Sequence, residues 1–105
     1  MTGKAEKQPA VHILASKRDG ALYVGVTSDL RWRVLRHKQG LIEGYTKQHD
    51  IKLLVYYEMH VTMPGAIERE ARLKKWHRAW KVRLIQGFNP EWRDLFVEAT
   101  GELLD

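Results

Sequence analysis

The chain has 105 residues, room for one compact domain but not two, and its 44% hydrophobic and 30% charged composition, with four Trp, four Tyr and two Phe, suits a folded protein rather than a disordered one. It contains no cysteine, which excludes disulfide frameworks, zinc–thiolate sites and thiol nucleophiles and leaves any metal to oxygen or nitrogen ligands. Eighteen Lys and Arg against thirteen Asp and Glu give a formal net charge of +5, a surplus whose total says less about a partner than its distribution along the chain.

The opening MTGKAEKQP has no apolar run of the kind an export signal needs, and no stretch approaches the ~20 apolar residues of a membrane span. This predicts a cytoplasmic protein without a membrane partner: a loose tail over 1–9, one domain over 10–98 and a second tail over 99–105. From Ala10 the apolar run AVHILAS, the turn residues KRDG and a second run ALYVGV predict a β-hairpin. TSDL then offers an N-cap, and the spacing predicts a helix from Asp29 to Gln39, stopped by Gly40. Residues 41–50 read as a loop, and IKLLVYYEM as a third strand. Pro64, placed in a first turn after Thr62, opens helical spacing that runs to Gln86, as one helix or as two broken near His77, with Ile67, Ala71, Leu73, Trp76, Trp80 and Leu84 apolar. Asn89 before Pro90 is expected to cap a final short helix through EWRDLFVEA. The order is β-β-α-β-α-(α)-α, an α/β fold with a small three-stranded, mainly antiparallel sheet flanked by helices.

Several residues carry chemical interest. Tyr23 and Gly25 share a strand face, and the missing side chain at Gly25 leaves space beside Tyr23, although a twist point in an ordinary hairpin has the same signature. Arg33 and His37, four apart on the first helix, project together and suit a phosphate, or simply form a solvated basic face. Glu70 falls on the apolar stripe of Ala66, Leu73, Trp80 and Leu84, where a carboxylate needs a cation; Lys74 one turn on is the obvious partner and a metal ion the alternative. Between Ala71 and Pro90 no acidic residue occurs, while Arg72, Lys74, Lys75, Arg78, Lys81 and Arg83 crowd twelve positions. Such a run either neutralises phosphates or serves as a soluble helix surface.

Taken in order, VHIL at 11–14, LYVG at 22–25, SDLRWRVLRH at 28–37 and IERE at 67–70 resemble the motifs of the GIY-YIG nuclease superfamily, which includes the N-terminal cutting domain of the excision-repair incision subunit. KLLVYYE, KKWHRAWK and NPEWRDL resemble its short stand-alone bacterial branch, and the similarity runs from about Val11 to Leu95. The resemblance implies a metal-dependent endonuclease acting on DNA, with RNA second, in a setting such as DNA repair and without an organic cofactor. It implies Tyr23 as the second-motif tyrosine, Arg33 as the phosphate-contacting arginine, His37 as the helix histidine and Glu70 as ligand of one magnesium or manganese ion. The cations Arg72, Lys74, Lys75, Arg78 and Lys81 would then follow the backbone, and Asn89 would either match a late family asparagine or act as a cap. One departure stands out: His12 occupies the place of the first-motif tyrosine. With an ordinary pKa of ~6.5 an imidazole is a competent general base near neutral pH, so the expectation is catalysis with His12 or Tyr23 handling water. The alternative is a nucleic-acid-binding module impaired by that replacement.

Overall fold

The computed structural model describes residues 8–42, 44–97 and 101–104. Its elements are β1 (Ala10–Ala15), β2 (Leu22–Thr27), α1 (Leu30–Lys38), α2 (Tyr45–Gln48), β3 (Leu53–Met59), α3 (Met63–Lys75), α4 (Arg78–Phe88), β4 (Phe96–Val97) and β5 (Glu102–Leu103). β1 lies at the centre of an antiparallel sheet of order β2-β1-β3, while β4 and β5 form a separate small hairpin. No helix among the described residues is long and apolar enough to cross a membrane.

All six residues of β1 are buried because helices cover both faces of the sheet. Side chains alternate along the strand. Val11, Ile13 and Ala15 enter a core with Ala66 and Leu73 of α3 and Ile85 of α4. Ala10 and Leu14 enter a second core with Leu30 and Val34 of α1. Local signals place α1: the Asp29 carboxylate accepts from the Trp32 amide at 3.2 Å. Gly40, at φ +70, then donates to the His37 carbonyl and Leu41 to that of Arg36, which closes the last turn. Thr62 caps α3 in the same way through the Gly65 amide. The helical stretch after it is two helices, with Trp76 and His77 in extended backbone between them.

Two expectations fail. The loop over 41–50 contains the short helix α2, and the final helix through EWRDLFVEA does not form; Pro90 and Glu91 form a turn, residues 92–95 have no regular structure and lead into β4, and residues 98 and 99 lie outside the described residues. Competing side-chain bonds explain the second failure. Asn89 does not start a helix: its amide donates to the Arg93 carbonyl at 2.8 Å and accepts from the Arg93 amide at 3.1 Å, and it also donates to the carbonyl of Val55, the extra residue of a β-bulge in β3. Asp94 accepts from the amides of Leu54 and Phe96 and pairs with Lys38, and the Leu95 amide donates to the Leu54 carbonyl at 2.8 Å. The segment is thereby laced to the outer edge of β3. Trp92 takes φ +56, which costs ~1–2 kcal/mol for a residue with a Cβ. It is only 4% exposed, so the packing of its ring offsets the strain, although its indole N–H is buried without a partner. Of the expected tail over 99–105, the described residues 101–104 fold back, with Glu102–Leu103 paired to β4 and the Leu104 carbonyl accepting from the Tyr57 hydroxyl.

Candidate active site

His12 stands opposite Gly25 on β2 and Tyr57 on β3, on the sheet face that α1 covers. It is fully buried, and neither ring nitrogen has a hydrogen-bond partner. Gly25 is what makes room for it: a Cβ there would lie 2.8 Å from both Cε1 and Nε2 of His12 and 3.0 Å from the Tyr23 ring. Of the two readings of this glycine, the structure supports close approach. α1 delivers Arg33 and His37 to the same place. The rings of Tyr23 and His37 lie 5.6 Å apart, those of His12 and His37 6.2 Å, and those of His12 and Tyr23 6.4 Å. His37 Nδ1 shares a 3.1 Å hydrogen bond with the Thr46 hydroxyl on α2, while its Nε2 and the Arg33 Nε are buried without partners.

The electrostatics revise the expectation for His12. Burial, then the neighbouring His37 and Arg33, push its pKa down to about 3; burial and Arg33 push that of His37 down to about 4. Both imidazoles are therefore neutral at pH 7. A base whose conjugate acid is this strong accepts a hydrogen bond readily but takes a proton poorly. His12 is sealed from solvent, with the rings of Tyr23 and His37 as its neighbours. Tyr23 and Arg33 are half-buried and remain the accessible members of the group.

Glu70 stands on α3, whose Ala66 and Leu73 are buried on the face of the sheet opposite to α1, and α3 also packs on the edge strand β2, which carries Tyr23 and Gly25. The Glu70 side chain is 13% exposed, and its Oε2 lies 2.7 Å from the Lys74 ammonium, the partner its spacing suggested. No group of three or more His, Asp or Glu side chains able to hold a metal occurs among the described residues.

The expected phosphate-contacting cations divide. Arg72 pairs with Glu68 at 3.6 Å and Lys81 donates to the Lys74 carbonyl at 3.4 Å, both at the surface. Arg78 is committed to structure, donating to the carbonyls of Asp19 and Gly20 at 2.8 Å each and so tying α4 to the hairpin turn. Lys75 is exposed. Sequence reasoning passed over Glu58, which accepts from the Tyr56 hydroxyl, His60 and Arg69 on the α3 side of the sheet. Burial would raise its pKa, but these hydrogen bonds and the Arg69 charge prevail and lower it, while burial and Glu58 raise Tyr56 to about 12. The strand alternation of Tyr56, Glu58 and His60 was the available signal; the arrival of Arg69 from another element was not.

A sequence profile of the GIY-YIG catalytic domain matches residues 8–83. UPF0213 proteins of Staphylococcus aureus, from strains Mu3 and Mu50 among others, are 41% identical to this chain over 68 residues, which span 65% of it and 83% of them. No solved structure matches.

Proposed function

Because the chain belongs to the GIY-YIG catalytic domain family, a family of nucleases, we propose that it is a metal-dependent endonuclease that hydrolyses phosphodiester bonds in DNA. The observation that carries this is the polar cluster in an otherwise apolar layer. Buried nitrogens of His12, Arg33 and His37 lack partners beside an accessible tyrosine, at a place where a stability-driven core would put hydrocarbon.

In this reading the Arg33 guanidinium offsets charge on the scissile phosphate, and the Tyr23 hydroxyl orients the attacking water. His12 and His37 are positioning residues: neutral imidazoles that hold the phenol ring and the arginine without adding a competing charge. Glu70 is the residue to hold a divalent cation. A single, mostly buried carboxylate whose partner is a flexible, half-exposed lysine fits a hard cation that takes its other ligands from water and the phosphate, as magnesium and manganese do. When bound, such an ion supplies electrostatic stabilisation of the leaving oxygen.

The test is cleavage of labelled single- and double-stranded DNA, and of RNA, in magnesium or manganese. The expectation is that the parent cuts DNA and that Arg33→Ala and Glu70→Ala each lose roughly 10²-fold or more in rate. A specific observation favours a second reading, a binding module without turnover: His12 is a sealed, weak base where relatives of this family have a tyrosine. Binding without cleavage by the parent, with cleavage gained in His12→Tyr, would establish that reading instead.

A further inference from the structure

The corner between α3 and α4 holds a solvent-open cleft of about 340 Å³ lined by Trp76, Trp80, Arg83 and Leu84. Its two indoles are used differently. Trp76 packs against the core beneath the two helices, and the Arg69 guanidinium lies 5.3 Å from its ring centre. Trp80 joins neither core and is 49% exposed, so the fold forgoes the stabilisation that burying its largest side chain would bring. It is nevertheless held in place. Trp76 stands 5.8 Å away at 85°, and His77 5.7 Å away at 87°. Arg83, exposed at the rim, has no ion pair among the described residues, and no acidic residue occurs in the chain from Ala71 to Pro90.

We propose that this cleft docks an unpaired nucleobase of the substrate strand, stacked against Trp80, with the adjoining phosphate on Arg83. The proposal rests on the nuclease reading and adds to it a contact outside the cluster of His12, Tyr23, Arg33 and His37. An apolar peptide would satisfy the indole and leave Arg83 unmatched, whereas a nucleic-acid strand brings a flat ring and a negative charge at once. A base inside a duplex has both faces covered by its neighbours, so apart from the two end pairs only an unpaired base can use the indole. Stacking also needs no particular sequence, because every base presents a π-face.

The experiment is fluorescence anisotropy with a short fluorescein-labelled oligothymidylate and with a blunt duplex of equal length. The proteins are the parent, Trp80→Ala, Trp80→Phe and Arg83→Gln, each checked by thermal unfolding. Trp80→Ala is expected to weaken single-strand binding about tenfold, Trp80→Phe to restore most of it, and duplex binding to move less than about twofold. Arg83→Gln is expected to flatten the slope of log affinity against log salt by about 0.7 on the single strand. Unchanged single-strand binding by Trp80→Ala, or an equal loss on both substrates, overturns the docking site and leaves the nuclease reading standing. A parent that binds neither substrate overturns both. Should Trp80→Ala lose its thermal transition, an unchanged salt slope in Arg83→Gln overturns the proposal alone.

Discussion

Gly25 acts at the residue scale through what it lacks. Gly25→Ala would put a methyl group 2.8 Å from the His12 ring and 3.0 Å from Tyr23, in a layer with no slack. Overpacking of this kind costs ~1–3 kcal/mol, and the cost should shrink when His12→Ala is combined with it, because the two changes share one volume. Denaturant unfolding of the two single variants and the double one measures this, and strict additivity would contradict it. The histidines give a second prediction. Their folded pKa values, about 3 and about 4, lie below the ordinary 6.5, so from pH 6.5 downward the unfolded chain takes up protons that the folded one refuses. Stability is thus full above pH 6.5 and falls as the pH drops towards 4. Thermal unfolding across that range should show the fall, and His12→Phe should reduce its slope by the share of one proton; an unaltered slope would mean that His12 titrates normally. The residue types at 12, 23, 33, 37 and 70 were legible as an ordered pattern. The burial of His12 was not: β1 is packed on both faces, and a strand buried on both sides shows no alternation from which to read depth.

Elements with self-contained end signals were legible to within a residue or so. Asp29, Gly40 and Thr62 mark helix ends by bonds to their own neighbours, and α1 begins and stops, and α3 begins, where those residues predict. The segment after α4 was illegible because its bonds reach across the chain. Asn89 and Asp94 look like local capping and turn residues, yet their partners include Val55, Leu54 and Lys38, more than thirty positions away. The prediction at this scale concerns Asp94. Its replacement by Ala removes the acceptor for the Leu54 and Phe96 amides and leaves Lys38, whose side chain is only 10% exposed, with the Lys52 carbonyl but no counter-charge. A loss of about 2–3 kcal/mol is expected in urea unfolding, with Asp94→Asn intermediate because it keeps one acceptor oxygen. A loss below about 0.5 kcal/mol would make the lacing of this segment to β3 a surface detail.

For the molecule as a whole, the three strands of the main sheet and their antiparallel pairing followed from the sequence, whereas β4, β5 and the face each helix takes did not, the last because β1 is equally apolar on both sides apart from His12. That assignment decides which cations are free to meet a polyanion. Arg78→Ala, which releases the hairpin turn from α4, should lower the Tm while leaving the salt dependence of DNA binding nearly unchanged. Lys75→Ala should do the reverse, reducing that slope by about 0.7–0.9 with little effect on Tm. The opposite pattern would show that Arg78 is the phosphate contact. The central position of β1 also bears on how the chain is made. Ala10 pairs with Thr27 on one side but with Met59 on the other, so about fifty residues must follow before the second side can close, a wait on the order of several seconds at ribosomal rates. Throughout that interval the nascent chain carries its most apolar strand with one edge open to pairing with any other extended segment.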